Sequence, residues 1–185
     1  MSGRLFFALF PDTGAAARLA GWACAVAPPG ARLVAPERIH LTLAFLGSVD
    51  PATEAVLASA AAAACGPAVD VVVDRVGCWR RAGVLWAGCR RPPAALRALH
   101  ARLQRGLAPL GFAPDPRPFA PHLTLARRVS APPALAPIEP VRLRLAALHL
   151  VASRTLPAGA RYEPRGCWPL AAGAGPPAGP SRGPD

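Results

Sequence analysis

The pentapeptide His-Leu-Thr-Leu-Ala occurs twice in this chain, at residues 40–44 and again, unchanged, at residues 122–126. Its Leu and Thr residues favour extended backbone, and side chains on a strand alternate between two faces. Each copy therefore presents one imidazole and one hydroxyl on one face and leucines on the other. If two such strands face each other across a cleft, two imidazoles and two hydroxyls converge on one small volume.

Two interpretations of the repeat are open. The chain is rich in Leu and Ala, so a short repeat could arise from composition, and a single His on a strand is more often structural than catalytic. However, two of the four His residues occupy the same place in the same pentapeptide, each with Thr two residues on. Such a pair supplies a general acid, a general base and two neutral hydrogen-bond donors. The repeat therefore favours His40 and His122 as catalytic residues.

The charge of the chain predicts a polyanionic partner. The formal net charge is +11, and every basic residue is Arg. Arg binds phosphate through a planar fork, so RNA suits this composition. A biased codon composition that replaced Lys by Arg would give the same count. There is no run of 18 apolar residues, which predicts no membrane span. The five Cys residues include no Cys-x-x-Cys pair, which favours reduced thiols in the cytoplasm over disulfides or zinc.

The pattern of the chain predicts an α+β fold. We expect helices over 13–26, 50–65 and 94–108, and strands over 4–10, 32–34, 39–46, 69–76, 83–89, 121–128, 141–152 and 162–170. The strands and helices are mixed without regular alternation, which favours largely antiparallel sheets. One motif strand in each half predicts two pseudo-symmetric lobes. We expect a single bilobal domain over residues 1–170, and a disordered tail of Gly, Pro and Ala over residues 171–185.

The two motifs and their context resemble a known family. The segments that carry the resemblance are RLFFA at residues 4–8, HLTLAFLG at 40–47, RPF at 117–119, PHLTLAR at 121–127 and RYEP at 161–164. They are similar to those of the 2H phosphoesterase superfamily, and within it to the RNA 2′,3′-cyclic phosphodiesterases, first named for 2′-5′ RNA ligase activity. The resemblance covers residues 4–170. It implies two lobes of antiparallel sheet backed by helices around a central cleft.

The resemblance also implies an activity and roles. We expect hydrolysis of RNA 2′,3′-cyclic phosphate ends to a 2′-phosphate, with no metal and no cofactor. His40 would be the general acid and His122 the general base, although the sequence itself is symmetric. Thr42 and Thr124 would bind phosphoryl oxygens. Arg127 would bind phosphate too, but on a regular strand it points away from His122, so a bulge or strand end must redirect it.

The other candidate residues have less support from the sequence. We expect Phe119 to line the cleft and stack on a base. Phe45 falls on the face opposite His40, which predicts a core position. His149 lies in a strand without a Thr two residues on, and His100 lies in the third helix beside a stripe of leucines at helical spacing, so we expect both to be structural. The stripe consists of Leu96, Leu99, Leu103 and Leu107.

Three functions remain open at this point. The first is the RNA 2′,3′-cyclic phosphodiesterase, with a weak reverse 2′-5′ RNA ligation at the same site. The second keeps the site and changes the substrate to 2′-5′ oligonucleotides or small cyclic nucleotides. The third is a non-catalytic module that binds RNA ends. The expected partner is RNA with a 2′,3′-cyclic phosphate end, with tRNA as one source, and the expected protein is a cytoplasmic monomer.

Overall fold

The computed structural model describes residues 4–131, 133, 135–156 and 159–171. These residues form ten strands and three α-helices. The strands are β1 (Arg4–Leu9), β2 (Arg32–Leu33), β3 (Leu41–Ser48), β4 (Val69–Val73), β5 (Arg75–Trp79), β6 (Val84–Gly88), β7 (His122–Arg127), β8 (Val141–Leu145), β9 (Ala147–Leu156) and β10 (Gly159–Pro169). The helices are α1 (Thr13–Val26), α2 (Pro51–Ala64) and α3 (Ala94–Leu107). The paired strands are antiparallel, which confirms the predicted α+β class.

Local sequence explains where the helices begin and which side they bury. The carboxylate of Asp12 accepts a hydrogen bond from the backbone N–H of Ala15 at 2.8 Å, which caps α1. Asp50 caps α2 in the same way through Thr53, and Pro51 occupies the first turn. The stripe of α3 predicted from helical spacing is fully buried and consists of Leu96, Leu99, Leu103 and Leu107.

The main sheet has the order β10-β9-β1-β3-β7-β6-β5. The short strand β2 also pairs with β7, on the side away from β6. The two motif strands are neighbours at its centre, but β3 and β7 are in register only at Leu41 and Leu123. The sheet therefore divides into two groups of strands that meet at one residue pair. Each group carries one motif strand at the junction, which confirms the predicted two-lobed arrangement.

Two predicted strands are broken in the structure. The segment 69–76 is two strands separated at Asp74, whose N–H donates to the carbonyl of Gly88. Only β5 forms the hairpin with β6, whereas β4 pairs with β8 in a separate two-stranded sheet. Likewise, 141–152 is divided between β8 and β9 at Ala146, whose carbonyl accepts from the N–H of Leu170. In both places the apolar alternation changes phase at the break, from Val73 to Val76 and from Leu145 to Leu148, and the prediction of single strands was wrong.

Ala171, the last described residue, bridges to Pro67 and exchanges backbone hydrogen bonds with Gly66 and Ala68 at 2.8 and 2.7 Å. The rest of the predicted tail, residues 172–185, lies outside the described residues. Among the described helices, none combines the length and the apolar character needed to cross a bilayer.

Candidate active site

The two motif histidines lie on either side of the junction between the lobes. His40 directly precedes β3, and His122 is the first residue of β7. Because Leu41 is opposite Leu123 in the antiparallel pair, His40 and His122 are diagonal neighbours across the two strands. Diagonal neighbours in a regular pair lie about 7–8 Å apart. Both leucines are buried, at 1 % exposure each, so the imidazoles project from the opposite face.

Both imidazoles are held by the same local hydrogen bond. Nδ1 of His40 lies 2.7 Å from the carbonyl oxygen of Arg38, and Nδ1 of His122 lies 2.8 Å from that of Ala120. A carbonyl oxygen only accepts, so in each ring Nδ1 must be the donor. The neutral form of each ring then has its lone pair on Nε2, which is the nitrogen left for chemistry. Two rings oriented in this way can exchange protons with a group between them.

The electrostatic environment lowers the pKa of both imidazoles. Burial is the largest cause for His40 and also for His122, because desolvation disfavours the charged ring. The hydrogen bond from Nδ1 opposes this effect in each ring, and the positive charge of Arg127 adds to it. The charge of His122 lowers the pKa of His40 further. Arg127 and the two rings therefore act on one another across the junction.

A β-bulge follows each histidine and threonine at the same place. The register of β3 with β1 skips Leu43, and the register of β7 with β6 skips Leu125. A bulge puts two successive residues on one side of a strand and reverses the alternation beyond it. The residues after the bulges, Phe45 and Arg127, are therefore exposed on the face that carries the histidines. The bulge needed to redirect Arg127 is present.

The predicted core position of Phe45 is wrong. Its side chain is 76 % exposed, and its ring lies 6.1 Å from that of Phe6 on the site face. The cause is the bulge at Leu43, which regular alternation could not reveal. Phe45 occupies the place in the first motif that Arg127 occupies in the second.

The His40 ring packs in an aromatic cluster. Its ring centroid lies 5.0 Å from that of Phe6, 5.5 Å from Phe10 and 5.4 Å from Tyr162, the last edge to face. Sequence reasoning missed Phe10 and Tyr162 as neighbours of the site. The only sequence signal was that Tyr162 lies in one of the segments that carry the resemblance. The His122 ring instead meets Trp79 edge to face, with centroids 4.5 Å apart.

The two threonines and Phe119 differ in how they relate to this site. Thr42 and Thr124 are half-buried on the same face as the histidines that precede them. Phe119 stacks on His100, with centroids 3.8 Å apart and planes within 6°. One face of the Phe119 ring is therefore occupied within the protein, and its stacking on a base stays a prediction.

Within the described part of the chain, no three His, Cys, Asp or Glu side chains cluster as metal ligands would.

Comparison with known proteins identifies the family. The profile of the 2′-5′ RNA ligase superfamily matches residues 10–156. The chain belongs to this superfamily. One relative is the RNA 2′,3′-cyclic phosphodiesterase of Escherichia coli (strain K12), 38% identical over 128 residues, which cover 69% of this chain and 73% of the relative. Another is the RNA 2′,3′-cyclic phosphodiesterase of Geobacillus stearothermophilus, 39% identical over 113 residues, 58% of this chain and 35% of that protein.

Solved structures of superfamily members share the fold over nearly their whole length. A crystal structure described as a phosphoesterase superimposes with a TM-score of 0.85 at 33% identity, covering 92% of this chain and 99% of that one. Escherichia coli LigT complexed with 3′-AMP gives a TM-score of 0.81 at 34% identity, with the same coverage. The predicted family and fold are thus confirmed.

Proposed function

We propose that this chain hydrolyses RNA 2′,3′-cyclic phosphate ends and leaves a 2′-phosphate. The observation that carries the proposal is the matched pair of imidazoles on one face, each fixed through Nδ1 and with no hydrogen bond at Nε2 from the described residues. Binding alone does not need two titrating groups in mirrored positions, so an enzyme explains the site better than an RNA-end binding module. The names of the relatives in Escherichia coli and Geobacillus stearothermophilus support the choice of substrate.

The proposed reaction needs two proton transfers. Nε2 of neutral His122 takes a proton from water as its oxygen attacks the phosphorus atom. The bond between phosphorus and the 3′ oxygen breaks, and protonated His40 gives its Nε2 proton to that oxygen. Each positioned acid or base is worth about 10²–10⁴ in rate. The assignment of acid and base follows the family resemblance, since the hydrogen bonds of the two rings are alike.

The remaining site residues would stabilise charge on the phosphate. Thr42 and Thr124 would donate hydrogen bonds to non-bridging oxygens, because both share the face of the histidines. Arg127 would supply positive charge where negative charge gathers, as preorganised donors do at an oxyanion. The bulge at Leu125 supports this role by turning Arg127 to the site face. No step in this scheme requires a metal ion or cofactor.

Wider parts of the proposal concern partner and location. RNA ends, including those derived from tRNA, suit a chain with a formal net charge of +11. Five free cysteines fit a reducing cytoplasm. A monomer suffices, since both motifs belong to one chain. Weak 2′-5′ RNA ligation would be the reverse of the same reaction.

Replacement of either histidine tests the mechanism. We expect His40→Ala and His122→Ala each to lower turnover of cytidine 2′,3′-cyclic phosphate by about 10²–10⁴-fold. His149→Ala is the matched control, and we expect it to keep most of the activity. Thermal unfolding of each variant separates lost chemistry from lost structure. A folded variant of either motif histidine with near-normal turnover would refute two-imidazole catalysis.

The product and the preferred linkage test the choice of function. The expected product from a defined cyclic end is the 2′-phosphate, which chromatography separates from the 3′-phosphate. Faster turnover of a 2′-5′ linked dinucleotide than of the cyclic phosphate would instead favour the oligonucleotide phosphodiesterase. Tight binding of RNA ends without turnover of either substrate would favour the binding module.

A further inference from the structure

Arg75 lies in line with His122 across three strands. Gly88 is opposite His122 in the pair β6–β7, and Arg75 is opposite Gly88 in the pair β5–β6. Residues directly opposite in antiparallel strands project from the same face. Arg75 therefore shares the face of the proposed active site. Its backbone is two strand spacings from that of His122, about 10 Å.

Tryptophan rings fill the space between Arg75 and His122. The Trp86 ring lies flat across the strand pair, because the opposite residue is Gly77 and a Cβ atom there would overlap it. The guanidinium carbon of Arg75 is 5.5 Å from the centre of the Trp86 ring, a cation–π distance. On the other side, Trp79 packs against Trp86 with centroids 5.4 Å apart and reaches the His122 ring. A continuous line of contacts thus joins Arg75 to the site.

The charge of Arg75 is not neutralised by a neighbour. Its side chain is exposed, and no ion pair formed by the described residues includes it. The preceding carboxylate, Asp74, accepts a hydrogen bond from the backbone N–H of Arg90 at 2.8 Å instead. An Arg oriented over a Trp ring loses little side-chain freedom when it binds an anion, and its planar fork suits phosphate.

We propose that Arg75, held over Trp86, binds a second phosphate of the substrate strand. A 2′,3′-cyclic phosphate sits at the 3′ end of RNA, so the next phosphate is the one on the 5′ oxygen of the terminal nucleoside. Trp86 is opposite Thr124, and Arg75 lies on the next strand, β5. When the reacting group sits at the histidines, Arg75 is therefore within reach of that next phosphate. The enzyme would thereby favour the end of a nucleic acid strand over a free cyclic nucleotide. This inference rests on the proposed function.

Three substrates and two variants test the subsite. The substrates are cytidine 2′,3′-cyclic phosphate with a free 5′-hydroxyl, the same nucleotide with a 5′-phosphate, and uridylyl-cytidine 2′,3′-cyclic phosphate. We expect wild-type protein to have higher kcat/KM for the two substrates that carry a second phosphate. Arg75→Ala should lower kcat/KM for those two by about 10–100-fold more than for the first, the range of one charge-assisted hydrogen bond.

Arg142→Ala is the control, because Arg142 is an exposed arginine on β8 in the separate two-stranded sheet. It removes the same charge from another surface, and the ratio between substrates should stay at the wild-type value. Equal losses on all substrates in Arg75→Ala, or an equal change of ratio in Arg142→Ala, would overturn the subsite. A preference for the dinucleotide without one for the 5′-phosphate would assign recognition to the second base instead, and also overturn it.

The proposed function and the subsite can fail separately. If wild-type protein turned over none of the substrates, the proposed function would fall. Equilibrium binding of cytidine 2′-phosphate, with and without a 5′-phosphate, then measures the same preference without turnover. A ratio that Arg75→Ala leaves unchanged would refute the subsite in that assay as well.

Discussion

Gln104 of α3 contacts the bulge of the first motif, and we expect its replacement to give a measurable loss of stability. Its side-chain amide nitrogen donates to the carbonyl of Leu43 at 3.3 Å and lies 3.3 Å from Nε2 of His100. Leu43 is the residue that the register of β3 with β1 skips. In Gln104→Leu the carbonyl would keep its partial burial and lose its donor, which costs about 1–3 kcal/mol. For a chain of this size that corresponds to roughly 2–4 °C in Tm for each kcal/mol.

The same substitution should also reach the second motif. His100 stacks on Phe119, and the next residue, Ala120, supplies the carbonyl that holds His122. In Gln104→Leu, no side chain at this position links the bulge at Leu43 to the stacked rings of His100 and Phe119. The two imidazoles would then lose part of their relative alignment. Misplacement of catalytic groups by about 1 Å can cost up to 10²-fold. We therefore expect kcat to fall while the 2′-phosphate remains the product.

Thermal or denaturant unfolding, together with steady-state kinetics on cytidine 2′,3′-cyclic phosphate, measures both effects. Arg105→Leu is the matched control, since Arg105 is the neighbouring exposed residue of α3. Exposed substitutions usually stay within about 0.5 kcal/mol. If Gln104→Leu unfolded like Arg105→Leu and kept wild-type kcat, the side chain would not brace the site, and the reasoning would be wrong.

Three further predictions concern pH and metal. The kcat/KM profile should be bell-shaped. Both limbs should lie at lower pH than those of ordinary imidazoles with a pKa near 6.5, because burial lowers the pKa of His40 and His122. Arg127→Gln removes a positive charge that lowers both pKa values, so both limbs should move to higher pH, and a stationary profile would contradict the proximity of Arg127. A chelator should leave kcat unchanged, since imidazoles carry the proposed proton transfers, and activity lost with EDTA and restored by Mg²⁺ or Zn²⁺ would refute that scheme.

Much of the fold followed from patterns that are local in sequence. The three helices were predicted within one or two residues, because a cap, a proline or a leucine stripe marks each of them. The pairing of β4 with β8 was not predicted, since residues 69–73 and 141–145 are far apart in sequence and nothing local selects the partner. Register and long-range pairing depend on the packed sheet, where alternation alone leaves several choices.

The candidate site shows the same division. That each histidine shares a face with its own threonine followed from the repeat and from alternation along a strand, whereas the pairing of β3 with β7 in one sheet did not. The position of Phe45 was wrong, because a bulge leaves no mark in the pentapeptide, whose two copies are identical whether or not the strand is regular. The aromatic neighbours of His40 could not be found either, since they come from segments at least 30 residues before His40 and more than 100 after it.

The paired bulges make the end of each motif the point where the two halves of the cleft cease to be equivalent. A phosphodiester group has much the same shape from either side, so two equivalent half-sites would bind it in either orientation. Here one half-site exposes the phenyl ring of Phe45 and the other the guanidinium of Arg127. Under the proposed function, we expect the sixth residue of each repeat, outside the five that are the same, to set the orientation of the bound strand and hence which ester bond is cut.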